Sequence, residues 1–255
     1  MSSLGRKLGH ALDSVVLTAK SFAFIARNGK KPNGALKICR AHIEIPETQF
    51  ELYRQIVQME TDKLDMPEKP EVVLNFIEVS DADYREFQFL IRASHKGEDH
   101  WYLNHILINN FIGWIYGLKD YGFNKYLYPV DYKLSVTEPH LVAAIPADEG
   151  YFRARFVADD TWEPAQFSDD GSYSIKTGKP NKLIHCSSAP SDITELVNAD
   201  GYLEITENSF VEHQDKIDYP VNWSRLIPLG RHKAHYYVGQ AKEVAMTDLI
   251  VRETW

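Results

Sequence analysis

Residues 84–129 read YREFQFLIRASHKGEDHWYLNHILINNFIGWIYGLKDYGFNKYLYP, and this stretch decides the fold. Its first part alternates. Phe87, Phe89, Ile91 and Ala93 fall on one side of an extended chain; Tyr84, Glu86, Gln88, Leu90 and Arg92 fall on the other. That period of two predicts a strand over Tyr84–Ser94 with one apolar and one polar face. The polar face is either solvated or lines a cavity, and Glu86 shares it with Arg92, a ready ion-pair partner. Lys96-Gly97-Glu98-Asp99 reads as a turn and Trp101–Ile108 as the returning strand, so the two form a hairpin. Aromatic residues then crowd together: Trp101, Phe111, Trp114, Tyr116, Tyr121, Phe123, Tyr126 and Tyr128.

Upstream, Asn28–Gly34 is a loop by composition and Ala35–Ile45 a strand. Pro46 suits the first turn of a helix, whose apolar stripe is Phe50, Leu52, Tyr53, Ile56 and Val57, ending near Thr61. Asp65–Pro70 breaks the pattern, and Val72–Val79 is again a strand. Downstream, strands are predicted over Leu127–Val136, His140–Ile145, Tyr151–Val157, Lys182–Cys186, Tyr202–Thr206, Ser209–His213 and Ala234–Val238. Residues 159–181, rich in Asp, Ser, Gly, Lys and Pro, form a long loop or hairpin excursion. The first 31 residues carry six Lys or Arg against one Asp. Leu4, Leu8, Leu12, Val15 and Val16 share a helical face there, which favours a packed helix over an organellar address. The expected architecture is α+β and β-dominated. One domain spans residues 1–255, with 1–31 as a helical extension. An antiparallel sheet or barrel encloses a cavity, with two or three flanking helices.

Composition agrees. The chain has 255 residues, 44% of them apolar, enough to bury one sizeable core. Its 28 basic and 36 acidic residues give a net charge of −8, which argues against a phosphate-binding surface and so against nucleic acid as a partner. The 14 Tyr, 12 Phe and 5 Trp suit a β-rich core, an apolar ligand cavity, or both. Cys39 and Cys186 cannot build a disulfide framework and read as semi-buried thiols of a reducing, cytoplasmic protein. No run of 18 apolar residues exists, so no membrane helix is expected. Asn222-Trp223-Ser224 is a glycosylation sequon without a secretory signal to give it weight.

Glycine-rich nucleotide loops and a Gly-x-Ser-x-Gly elbow are absent from the sequence. Ten histidines raise the question of a metal, but their spacing does not answer it. His232 and His235, and likewise His100 and His105, fall on opposite faces of a strand; His42 and Glu44 share one, but two potential ligands do not make a site. No metal and no cofactor are expected. Asp159-Asp160 and Asp169-Asp170 read as solvated loop charges.

The stretch from Tyr84 to Pro129 resembles the central signature of the acetoacetate decarboxylase superfamily, as a divergent member. That signature opens with Tyr-x-Glu on a strand, here Tyr84-Arg85-Glu86. It closes on a Gly-Arg-Glu-x-x-Gly-Phe/Tyr-Pro-Lys-Lys segment, here Gly117 to Tyr126. Gly117, Gly122, Phe123 and Lys125 keep their places. Leu118-Lys119 stands for Arg-Glu, Asn124 for the proline and Tyr126 for the second lysine. The likeness is good over about 50 residues, looser over Ala35–Val79 and weak in the last hundred.

The resemblance implies that Lys125 forms a Schiff base with a ketone, the iminium serving as an electron sink. A lysine becomes nucleophilic in such a role through desolvation or a neighbouring cation, either of which lowers its pKa. The resemblance places Glu86 in the site as acid, base or orienting group. A second carboxylate of the family falls loosely on Asn75, with Glu78 as a register-shifted alternative. Tyr84, Phe123, Tyr126 and Lys119 complete the implied substrate-binding set. The family's carboxylate-binding arginine has no clear counterpart, although Lys37 and Arg40 lie near its expected position. The expected partner is a small-molecule substrate, and the resemblance also implies self-association. The leading expectation is a lyase acting on a keto or polyketide-like molecule, by decarboxylation or aldol or dehydration chemistry. A non-covalent cyclase or isomerase, and a binding protein, are the alternatives.

Overall fold

The strand predicted from alternation anchors the sheet. The computed structural model describes residues 15, 16, 19, 35–58, 61–79, 84–116, 123, 125–127, 130, 132, 134, 140–144, 152–159, 163, 164, 172–176, 181–187, 193–208, 223–241 and 248–255. Its strands are β1 (Ala35–Glu44), β2 (Glu71–Val79), β3 (Tyr84–His95), β4 (Glu98–Ile108), β5 (Lys125–Leu127), β6 (His140–Ala144) and β7 (Phe152–Ala158). They continue with β8 (Glu163–Pro164), β9 (Ser172–Lys176), β10 (Lys182–Ser187), β11 (Ile193–Asn208), β12 (Gly230–Ala241) and β13 (Asp248–Thr254). Two α-helices are described, α1 (Phe50–Val57) and α2 (Phe111–Tyr116). The fold is therefore α+β and strand-dominated.

The strands form one sheet in the order β13-β10-β9-β4-β3-β2-β1-β12-β11-β7-β6, with β5 added on β4 and β8 on β11. It is mixed rather than wholly antiparallel, because β4 pairs in parallel with β5 and, at Tyr102 and Tyr173, with β9. The β3–β4 hairpin turns on two residues, not four. Lys96 and Gly97 both have positive φ, 54° and 84°, the geometry whose twist matches the flanking strands.

Cross-strand partners share a face, so the register sorts the residues of the central strands into two sets. One set comprises Cys39, Ala41, Ile43, Val72, Leu74, Phe76, Phe87, Phe89, Ile91 and Ala93, all buried in one large apolar cluster. We call this the core face. Tyr53, Ile56 and Val57 of α1 join it, as the helical stripe predicts. The same cluster reaches Leu183 on β10 and Phe156 on β7, so the sheet curls around it. Each large side chain fully buried here contributes roughly 1.5–3 kcal/mol.

The opposite face carries Tyr84, Glu86, Gln88, Leu90 and Arg92 of β3. It is covered too, by a second cluster of Val73, Leu90, Leu103, Ile106, Ile108, Phe123 and Ile184, with Tyr84, Trp101 and Trp114 packed against it. We call this the lysine face. β4 switches sides within its length: Phe89 pairs with His105 but Leu90 with Leu103, leaving Asn104 as an extra, bulged residue. His100 and His105, expected on opposite faces, are thereby brought to the same one, paired with Ala93 and Phe89.

Other expectations are corrected. The helix ends at Val57, four residues early, and a 3-10 turn over Glu47–Gln49 precedes it. The strand expected over Leu127–Val136 ends at Leu127; Val130, Tyr132 and Leu134 are buried without strand structure. Residues 159–181 contain β9, and β11 is one 16-residue strand with register shifts where only Tyr202–Thr206 was expected. β13 was not anticipated. The strand expected over Ser209–His213 and most of the N-terminal helix lie outside the described residues. Val15, Val16 and Ala19 are helical, and Val15 and Val16 are exposed, not packed.

Candidate active site

Lys125 lies on β5, in parallel register with Ile106 of β4 and hence on the lysine face. Its Nζ donates to Glu86 Oε2 at 2.9 Å, and both side chains are under 10% exposed. Two further donors reach the same carboxylate: Tyr84 Oη to Oε2 at 2.5 Å and Gln88 Nε2 to Oε1 at 2.6 Å. Burial alone would raise the Glu86 carboxyl, but the Lys125 charge and these three donors outweigh it and hold it below the usual carboxylate range. Burial, with the Glu86 charge beside it, pushes the Tyr84 phenol well above its ordinary value, so Tyr84 stays a donor.

The loop and helix after β4 fold back over the strand to build the other wall. Trp114 Nε1 donates to the Lys125 carbonyl at 3.0 Å, and Lys125 Nζ lies 3.5 Å from the Gly113 carbonyl oxygen and 5.6 Å from the centre of the Phe123 ring. Gly113 lets the chain pass close here: a Cβ would stand 2.8 Å from Ile108 Cδ1 and 3.1 Å from Tyr84 Cε2, so those side chains would have to shift. From the core face, Tyr132 braces Glu86. Its hydroxyl accepts from Ile77 N at 2.8 Å and lies 2.5 Å from the Ile77 oxygen and 2.8 Å from the Glu86 oxygen, either of which takes its proton.

A polar row leaves Glu86 across the sheet. Gln88 pairs with Asn75, Asn75 with Arg40, Arg40 with His235 and His235 with Asp200. Asn75 Nδ2 donates to Gln88 Oε1 at 3.0 Å, so Asn75 joins Glu86 through Gln88. Asn75 Oδ1 and Arg40 Nε are buried with no hydrogen-bond partner among the described residues.

Of the expected set, then, Lys125, Glu86, Tyr84, Phe123 and Asn75 come together on one face. Tyr126 does not. It follows Lys125 on a strand, points to the core face and stacks on His105 with ring centroids 4.7 Å apart. Lys119 lies outside the described residues. Glu78, the alternative to Asn75, is also on the core face, where it accepts from Leu134 N at 2.9 Å and lies 3.5 Å from Lys37 Nζ. Between the two basic residues near the first strand, Arg40 faces the site and Lys37 does not. Arg92 pairs with Glu71 at 2.9 Å rather than with Glu86. Gln88 and Arg40 were missed as site residues. The alternation already put Gln88 beside Glu86, whereas Arg40 needed the pairing of β1 with β2.

Among the described residues, no three His, Cys, Asp or Glu side chains are grouped to hold a metal, and no helix is long and apolar enough to cross a membrane.

The fold is that of the acetoacetate decarboxylase-like enzymes. The chain is similar to the enduracididine biosynthesis enzyme MppR in complex with pyruvate, at 10% identity and a TM-score of 0.53, covering 82% of this chain and 87% of that one. It is similar to acetoacetate decarboxylase at 13% identity and a TM-score of 0.52, covering 87% and 90%. The acetoacetate decarboxylase of Legionella pneumophila matches at 12% identity and a TM-score of 0.51, covering 84% and 88%. No protein-family model and no curated protein matches the chain.

Proposed function

We propose that the protein is an enzyme that binds a keto acid and forms a Schiff base through Lys125. The observation that carries this reading is the buried Lys125–Glu86 contact of 2.9 Å. A lysine must shed a proton before it attacks a carbonyl. Here that proton has a short path to Glu86, and the same carboxyl then returns it to the departing hydroxyl of the carbinolamine. The net step turns ammonium and ketone into iminium and water: two protons pass in turn from nitrogen to oxygen by way of Glu86, one as the carbinolamine forms and one as its hydroxyl departs. Lysyl iminium then accepts the electron pair of a breaking carbon–carbon or carbon–hydrogen bond, which covers decarboxylation as well as aldol chemistry.

Three further features support the reading. Arg40, with a buried Nε lacking a partner among the described residues, is placed to receive a substrate carboxylate. MppR, a structural neighbour, is described in complex with pyruvate, itself a keto acid. The Phe123 ring lies 5.6 Å from the amine, Tyr84 donates to the carboxylate that the amine meets, and the Lys125 side chain is buried.

The test is reductive trapping. The protein is incubated with acetoacetate or 2,4-pentanedione and borohydride, and its peptides are weighed. A label on Lys125, lost in Lys125→Ala and strongly slowed in Glu86→Gln, is the expected result. An unlabelled Lys125 sinks the covalent reading and leaves non-covalent steering of a ligand on this face.

A further inference from the structure

The polar row does not stop at the arginine. On β12, directly across from Arg40, His235 occupies the same face. Its Nδ1 lies 2.7 Å from Asp200 Oδ1 on β11, and Asn198 Nδ2 donates to the same oxygen at 3.1 Å. Asp200 thus fixes the tilt of the imidazole and takes up Nδ1–H, which turns Nε2 to the ligand side of the pair. His42, one row further along β1, packs edge-on to His235 with ring centroids 6.0 Å apart. Burial, then the charges of Arg40 and His235, push the His42 imidazole down to about 4, so it is a neutral wall at pH 7.

Side chains reach across this face. His42 stands on β1 and Trp101 on β4, three strand spacings apart or roughly 14 Å along a flat sheet, and their rings approach to 6.2 Å. The Lys125 amine is held at Glu86 on β3, from which Arg40 on β1 and His235 on β12 stand two and three strand spacings away, about 10–14 Å. The far end holds a cation whose buried Nε lacks a partner among the described residues, a side-chain oxygen of Asn75 in the same condition, and a carboxylate-held imidazole.

We propose that Arg40 and His235, the latter held by Asp200, form a subsite for the tail carboxylate of an extended keto acid. The substrate is a chain whose ketone and carboxylate are separated by several carbons, not a short β-keto acid. The proposal rests on Lys125 receiving the ketone. His235 is a specificity-determining residue: in the proposed complex each ring nitrogen carries a proton, Nδ1 donating to Asp200 and Nε2 to the carboxylate while Arg40 donates beside it, so two donors on adjacent strands meet the two oxygens of one carboxylate.

A molecular ruler tests this. Levulinate, 5-oxohexanoate, 6-oxoheptanoate and 7-oxooctanoate are compared with methyl ketones of matched length, 2-octanone among them. Binding is read by calorimetry and attachment by borohydride trapping. The expected result is a Kd that falls about tenfold from levulinate to 7-oxooctanoate beyond the gain of the matched ketones. His235→Ala and Asp200→Asn each raise the Kd of 7-oxooctanoate several-fold and leave levulinate and 2-octanone where they were. A length series that only parallels the ketones, or a His235→Ala effect equal across all probes, overturns the subsite. Should the long keto acids bind as expected while no lysine is labelled, the subsite stands and the Schiff-base reading falls.

Discussion

The two faces of β3 are built from alternate residues of one twelve-residue strand, yet they obey different rules. The core face is mostly apolar: Phe87, Phe89, Ile91 and Ala93 meet Phe76, Leu74 and the helix stripe. The lysine face is just as buried around Glu86, but it encloses an ion pair and a row of amides. A buried ion pair is a weak source of stability, because desolvation offsets much of the attraction. A protein optimised only to fold would fill that position with a second apolar layer, as it does further along the same face at Leu90. The contrast teaches that burial alone does not separate the two faces, nor does charge alone, since Glu78 lies near Lys37 on the core side; what sets the lysine face apart is a buried ion pair joined to a row of amides.

Breaking the ion pair should have the largest effect. Lys125→Met leaves the Glu86 carboxylate buried without its cation and should lower stability by about 3–5 kcal/mol in urea unfolding. The double variant Lys125→Met/Glu86→Gln should recover most of that loss. If the single variant is as stable as the parent, Glu86 is not held as a buried anion.

Acid sharpens the comparison from the other side. Burial pushes His105, on the core face, down to about 3. In the unfolded chain its imidazole takes up a proton near 6.5, so between these values the unfolded state binds more protons. The stability it confers is complete above 6.5 and is lost as pH falls toward 3, on the order of 4 kcal/mol at the low end. His42, on the lysine face, adds a smaller loss between 6.5 and about 4. Glu86, held low, acts later: its contribution is present above the usual carboxylate range and disappears only as pH falls below it. Thermal melts from pH 7 to 4 should therefore slope downward, and His105→Asn should flatten the slope. An unchanged slope would remove His105 from the account.

Smaller effects follow. Gly113→Ala should cost roughly 1–3 kcal/mol, because the new methyl meets Ile108 and Tyr84. It should also slow trapping at Lys125 by displacing the Tyr84 hydroxyl from Glu86. Tyr126→Phe makes the control. Its hydroxyl is on the core face, so trapping should be unaltered and stability should move by less than about 1 kcal/mol. A trapping defect in Tyr126→Phe would mean that the two faces are not independent.

Much of this was legible in the residues. Alternation gave β3 and its two faces, and the helical stripe gave the buried side of α1. The resemblance put Lys125 and Glu86 in one site, and the structure brings their side chains together. What could not be read was which polar faces are covered. Glu86 and Gln88 look like a solvated edge until Trp114 and Phe123, some 30 residues on, fold over them. Tyr126 parts from the expected set because it directly follows Lys125, and neighbours along a strand point to opposite sides. Arg40 stayed ambiguous beside Lys37, three positions away, until the pairing of β1 with β2 fixed the parity. Long strands such as β11 were cut short because register shifts interrupt their alternation.

The bulge at Asn104 works on β4 as a frameshift works on a message. Every side chain before it, from Glu98 to Leu103, is read onto the face that an unbroken strand would have given to its neighbour. Had Asn104 taken a regular place opposite Leu90, Tyr102 would stand across from Arg92, where Trp101 now does. Trp101 stands on the lysine face, its ring 6.2 Å from that of His42, only because one extra residue is looped out of the count. That contact is thus encoded partly in a number of residues, a kind of information that no substitution at Trp101 itself can reveal.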